Sequence, residues 1–250
     1  MTRRPRRNRR STHTRQSRSW TLTTRKPHRA RTNAGRVELS SVPSSVIEAA
    51  RYIRQASSRV RTNLVGGAVV DLLQGVQPKD WDIEVFGLAW PDLAAIASRL
   101  GTASEVGKSF GVLKLVLPDG MDIDLSIPRM DNKVGVKHKD FTVQLYPNMT
   151  NKEAARRRDF TINSMAVDLA TGKLIDPFHG LEDLQAHILR ATDSKLFIED
   201  PLRGLRAMQL LARKSKTVAP STLALIKSMK AQHNDLPSSS IASGSRTTPS

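Results

Sequence analysis

Cysteine is absent from the 250 residues, which rules out disulfides, zinc–thiolate sites and thiol nucleophiles and suits a reducing compartment. No apolar run approaches the roughly 20 residues that a membrane-spanning helix needs, so no membrane partner is expected. The start carries no apolar stretch of the kind that directs secretion. No internal repeat is visible. Acids are scarce in one region above all: residues 1–40 hold about thirteen Lys and Arg against one acid, Glu38. Of the formal net charge of +17, about +12 therefore sits in this arm, and the rest of the chain is only mildly basic.

An Arg/Ser/Thr segment with so few apolar residues cannot bury enough area to offset the entropy of ordering, so residues 1–40 read as a disordered basic arm. Such an arm suits a phosphate-neutralising tether for RNA. A solvated, non-specific tail is the alternative, and an organelle transit peptide is a third reading; without it a cytoplasmic location is expected. Residues 236–250, rich in Ser, Thr, Pro and Gly, also read as disordered. The expected folded part is residues 42–230.

Within it, helical and strand patterns alternate. Val46, Ile47, Ala50 and Ile53 recur at helical spacing. Asn63 to Val65 predicts a short strand running into Gly66 and Gly67, and residues 68–75 a short helix closed by Gly75. Residues 81–86 alternate as a strand with Asp82 and Glu84 on one face. Residues 90–100 predict a helix with Pro91 in its first turn. Residues 112–127 predict a hairpin around Pro118-Asp119-Gly120, and residues 165–178 a second one around Ala170-Thr171-Gly172. Thr150 and Glu153 form a capping box opening a helix that holds Arg156, Arg157 and Arg158. Residues 200–214 predict a helix with Leu202, Leu205, Leu210 and Leu211 as its apolar positions. This order predicts an α/β (α+β) chain: a small mixed β-sheet with flanking helices, followed by a helical extension.

The chemistry-bearing constellation is Gly66-Gly67, then Asp80 and Asp82, then an acid on the 112–127 hairpin. Residues i and i+2 of a strand share a face, so Asp80 and Asp82 can present oxygens to one point, and Asp124 on a neighbouring strand can add a third carboxylate. Asp122 lies on the same strand face and competes with Asp124. Hard oxygen ligands suit Mg²⁺, and glycines between a strand and a helix let backbone N–H groups approach a triphosphate. On the residues alone, Asp-x-Asp is common on exposed strands and turns, and solvated edge carboxylates are the preferred reading. His138 and His179 show no ligand spacing and read as surface groups.

The stretch LVGGAVVDLLQGVQPKDWDIEVFG resembles the signature of the class II branch of the tRNA nucleotidyltransferase (CCA-adding enzyme) and poly(A) polymerase family. DIDLSIPR, RRRDFTINSMAVD, DPFHGLEDLQAHILRAT and FIEDPLRGLRAMQLLAR resemble further motifs of that family in the same order, so the likeness runs over about residues 45–213. It implies a nucleotidyltransferase (polymerase β-like) head over residues 42–180 and the start of a helical neck over residues 181–230. It selects Asp124 over Asp122, and implies that Asp80, Asp82 and Asp124 hold two Mg²⁺ ions. Gly66, Gly67 and Arg158 would contact the nucleotide, with Asp159 and Asn163 either touching it or acting as local caps. Glu199, Asp200 and Arg203 match the family's Glu-Asp-x-x-Arg element, which reads the base edge, and Arg206 continues that face. On the residues alone, Asp200 also suits a helix N-cap and Arg203 a surface ion pair.

The implied activity is template-independent addition of nucleotides from CTP or ATP to an RNA 3′ end, of CCA-adding or poly(A)-adding type, with the tRNA 3′ end as the implied acceptor. Two departures bear on it. Val70 replaces an arginine that the family places near the phosphates, with Lys79 and Lys108 as candidate substitutes. Recognisable helix also ends near Lys230, before the family's body and tail segments. A catalytically impaired RNA-binding remnant, or a catalytic subunit whose RNA-binding body is a separate protein partner, are therefore the alternatives.

Overall fold

The computed structural model describes residues 35–106, 111–133, 141–213 and 215–229. The chain runs through α1 (Ser44–Arg54), β1 (Arg61–Val65), α2 (Gly67–Leu73), β2 (Asp82–Phe86), α3 (Trp90–Leu100), β3 (Thr102–Val106), β4 (Val112–Val116) and β5 (Asp122–Ser126). The β6 (Arg129–Lys133) and β7 (Phe141–Leu145) pair follows, then α4 (Asn151–Arg156), β8 (Ala166–Asp168), β9 (Leu174–Ile175) and α5 (Gly180–Gln185). The last elements are β10 (Ile188–Leu189), α6 (Ser194–Phe197), α7 (Leu202–Arg213), β11 (Thr217–Val218) and α8 (Pro220–Ser228).

Alternation along the strands decides which side of the sheet is covered. Leu64, Ile83, Val85, Leu113, Leu115, Ile123 and Leu125 are at most 1% exposed. They share one core with Val46, Ala50 and Ile53 of α1 and with Leu93 and Ala97 of α3. Each such side chain contributes about 1.5–3 kcal/mol on burial. The opposite face carries Asp82, Glu84, Asp124 and Lys114 at the alternate positions. The strand order is β3-β4-β5-β2-β1-β8-β9. β2 and β5 run parallel, because the chain leaves β2 through α3 and returns through the β4–β5 hairpin; the other neighbours are antiparallel.

Several local expectations hold. Gly75 (φ 70°) follows α2, Gly120 (φ 83°) turns the β4–β5 hairpin, and Gly172 (φ 72°) turns β8–β9. Thr150 and Glu153 make both bonds of a capping box. Others are corrected. α4 ends at Arg156, so Arg157 caps it and Arg158 lies beyond. The helix predicted over residues 200–214 begins at Leu202; Ala207 and Gly204 are its buried positions and Leu205 is 42% exposed. Residues 35–40, assigned to the arm, belong to the fold: the Val37 N–H donates to Gly172 O at 2.8 Å, the Leu174 N–H to Gly35 O at 2.8 Å, and Val37 is buried. Val37 and Leu39 supply the apolar contact that the Arg/Ser run lacks. The rest of the arm, Lys108, His138 and residues 236–250 lie outside the described residues. The helical extension also contains a strand pair, β10 with β11 in parallel. Among the described residues, no helix is long and apolar enough to cross a membrane.

Candidate active site

The parallel pairing of β2 with β5 sets Asp82 directly opposite Asp124, and the Asp124 N–H donates to Trp81 O at 2.9 Å. Asp122 is exposed and sits before that register begins, so the topology favours Asp124. Asp80 lies two residues ahead of β2, exposed, rather than within the strand. Burial raises the Asp82 carboxyl above the ordinary carboxylate range, and the negative charges of Asp124 and Asp80 raise it further; Arg158 and Lys114 offset part of this. The three acids therefore share one local field. Lys114, the cross-strand partner of Asp124 on β4, places its Nζ 3.3 Å from Asp124 Oδ1. Both side chains are substantially exposed, so the pair contributes about 0.2–1 kcal/mol.

Gly66 joins β1 to α2 at φ 73°, a conformation that side chains disfavour. A Cβ there would stand 3.0 Å from Asp82 Oδ2, so the glycine keeps the carboxylate's flank clear. Gly67 opens α2, is exposed, and would meet nothing within 4 Å. Val70, in contrast, is 1% exposed and packs into the core, so this position points inward.

Beneath the acids, Glu84 is buried and accepts from Arg157 Nη2 at 2.6 Å and from Arg158 Nη2 at 3.4 Å. Arg158 is thus held near Asp82, and Arg157 is held to Glu84 more tightly still. Arg156 turns away to Asp193. The α7 residues approach from the side. Asp159 Oδ2 accepts from Arg206 Nε at 2.8 Å while its Oδ1 accepts from Asn163 Nδ2 at 3.1 Å, which joins three of the predicted nucleotide contacts into one network. Asp200 Oδ1 accepts from the Leu202 N–H, the capping role. Arg203 donates to Leu196 O at 3.0 Å and to Arg157 O at 2.8 Å, which ties α7 to the arginine segment. His179 pairs with Glu182 at the surface, 3.5 Å apart.

Sequence reasoning did not single out Glu84, Arg157 or Lys114. Glu84 carried a signal, since it shares the strand face of Asp82; Lys114 carried none beyond its place in the 112–127 hairpin. Among the described residues, no group of three His, Asp or Glu side chains is already set as an ion cage. The donor set nevertheless fits a hard divalent ion: the carboxylates of Asp82 and Asp124 face each other across β2 and β5, beside a corner that a Cβ would fill.

A model described as the poly(A) polymerase head domain matches residues 62–190, about half of the chain. The chain belongs to the poly(A) polymerase head-domain family. Its class II CCA-adding branch is represented among the relatives. The chain is 42% identical over 166 residues to the multifunctional CCA protein of Nitrosococcus oceani, covering 66% of this chain and 38% of that protein. Against the multifunctional CCA protein of Nitrosomonas europaea it is 39% identical over 163 residues, covering 65% of this chain and 37% of that protein. It therefore spans well under half the length of these relatives. Among solved structures, a CCA-adding enzyme in apo form II superposes with a TM-score of 0.64 at 29% identity, over 76% of this chain and 45% of that one. The Bacillus stearothermophilus CCA-adding enzyme in complex with CTP gives 0.59 at 29% identity, over 73% and 42%. The Thermotoga maritima CCA-adding enzyme complexed with tRNA gives 0.57 at 29% identity, over 74% and 40%. The head-domain sheet and its flanking helices thus have the nucleotidyltransferase fold of those enzymes.

Proposed function

We propose that this head domain transfers a nucleoside monophosphate from CTP or ATP to the 3′-hydroxyl of an RNA, with tRNA as the first acceptor to test. The observation that carries the reading is the in-register apposition of Asp82 and Asp124 beside the Gly66 corner. The relatives support it: they are CCA proteins, and solved neighbours were captured with CTP and with tRNA.

In this reading the hydroxyl gives its proton to Asp124 or to water, its oxygen attacks the α-phosphorus, a new P–O bond forms, the bond to the β-phosphate oxygen breaks, and pyrophosphate leaves with that bond's electrons. Asp80, Asp82 and Asp124 would hold two Mg²⁺ ions, which when bound lower the hydroxyl's proton affinity and neutralise charge on the leaving group. Gly66 and Gly67 give the triphosphate room at the start of α2. Arg158, fixed by Glu84, supplies a cation beside Asp82, where phosphate charge gathers. Asp159, itself held by Asn163, anchors Arg206, whose side chain is 58% exposed and would meet the nucleotide. Asp200, two residues ahead of α7, and Arg203, in its first turn, would read the base edge, with Arg203 exchanging backbone carbonyls for ring acceptors.

The test is incubation of purified protein with tRNA lacking its 3′ end, Mg²⁺ and labelled CTP or ATP. Incorporation is expected, and its loss in an Asp80→Ala/Asp82→Ala double variant. Equal incorporation by that variant would reject the acid cluster. A wild type that binds RNA but incorporates nothing would instead point to an RNA-binding remnant. Sequencing the product ends distinguishes CCA from poly(A) addition.

A further inference from the structure

Lys114 stands in the site and the mechanism above does not use it. It occupies the middle of β4, in register with Asp124, and 55% of its side chain remains exposed. An exposed pair of this kind adds little to folding, so stability does not account for an ammonium placed on a carboxylate that the reaction needs.

The strand order gives the lysine a direction. Reading across the sheet from β4 through β5 and β2 to β1, the line passes Lys114, Asp124, Asp82 and then Val65, the last residue of β1 before Gly66. Adjacent strands lie about 4.8 Å apart, so Lys114 and the glycine corner flank the carboxylates from opposite sides, about three strand spacings apart. A triphosphate seated at the glycine corner leaves the other flank to the second polyanion of the reaction, the strand that carries the attacking hydroxyl. Lys114 is a cation on that flank, with its side chain substantially exposed.

We propose that Lys114 is an acceptor-side residue: it holds a phosphodiester next to the RNA 3′ end, and it is parked on Asp124 until a divalent ion takes that carboxylate. The assignment rests on the transferase reading. It exchanges ion partners only and breaks no covalent bond.

Equilibrium binding of the full chain in Ca²⁺, without turnover, separates the two flanks. A labelled single-stranded RNA oligonucleotide is titrated by fluorescence anisotropy over a salt series, and CTP is titrated separately, for wild type, Lys114→Met and Lys114→Arg. Lys114→Met should weaken the oligonucleotide about five-fold at low salt. It should also reduce the slope of log affinity against log salt by about 0.7, the signature of one lost phosphate contact on a single strand. CTP affinity should not change, and Lys114→Arg should restore the RNA affinity. A loss of CTP affinity with RNA binding intact would overturn the assignment by placing the lysine against the triphosphate. No change in either would reduce it to a counter-ion of Asp124, which also overturns it. A wild type that binds neither ligand would overturn the transferase reading, and this assignment with it; CTP binding without RNA binding would overturn this assignment alone.

Discussion

Replacing Glu84 tests how the arginines beneath the acid cluster are held. Its side chain is 3% exposed and meets Arg157 at 2.6 Å and Arg158 at 3.4 Å, and those arginines are 20% and 17% exposed. Removing one member of a buried ion pair costs about 3–5 kcal/mol, because the partner keeps its charge and loses its compensation. Here two partners are left, but each retains some contact with water. Glu84→Ala should therefore fall near the lower end, about 3 kcal/mol. For a chain of this size that lowers the melting temperature by about 6–12 °C. Glu84→Gln keeps the shape and one acceptor, so it should cost about half as much. In a double-mutant cycle the coupling of Glu84 to Arg157 should exceed its coupling to Arg158, following the shorter contact. Thermal and urea melts followed by circular dichroism supply these values. A Glu84→Ala variant within about 0.5 kcal/mol of wild type would refute the burial argument. Stronger coupling to Arg158 would refute the assigned geometry.

Two further expectations concern the cluster itself. Burial and Asp124 raise the Asp82 carboxyl in the folded chain, so ionising it opposes folding; that penalty is absent below the unfolded-chain value, about 3.9, and complete above the folded one. Asp82→Asn should then be more stable than wild type at pH 7, with the gain fading as pH falls through the carboxylate range; a gain independent of pH, seen in urea melts across a pH series, would contradict this. Gly66→Ala forces φ 73° on a side chain and sets a methyl 3.0 Å from Asp82 Oδ2, whereas Gly67→Ala meets open space. The first should cost about 1–3 kcal/mol and weaken Mn²⁺ binding, the second should do neither, and equal effects on Mn²⁺ titration would rule out the proposed corner.

Hairpins were legible where alternation met a turn residue. The β4–β5 hairpin was read from Pro118-Asp119-Gly120 between alternating segments, and the α2 stop from Gly75. The β6–β7 pair was not, because Met130-Asp131-Asn132-Lys133 is polar without a period of two. Periodicity could not separate Asp122 from Asp124, since both sit on one face. The choice depends on a pairing between strands some forty residues apart, and the family motif carried it at sequence level. The run of three arginines hid the special position of Arg157, because its direction is set by where α4 stops. The Asp159–Arg206 bond joins residues far apart in the chain, so local pattern carried no trace of it.

The β2–β5 seam makes assembly of the centre a late event. A hairpin such as β4–β5 can close locally, but the seam must wait for the chain to travel out through α3 and back, and such long-range closures slow folding. Parallel pairing is also slightly weaker per residue than antiparallel. Opening at this one junction would part β3-β4-β5 from β2-β1-β8-β9 and carry Asp124 away from Asp82 while most of the ladders stayed zipped. Under mild denaturant, loss of turnover should then run ahead of loss of ellipticity.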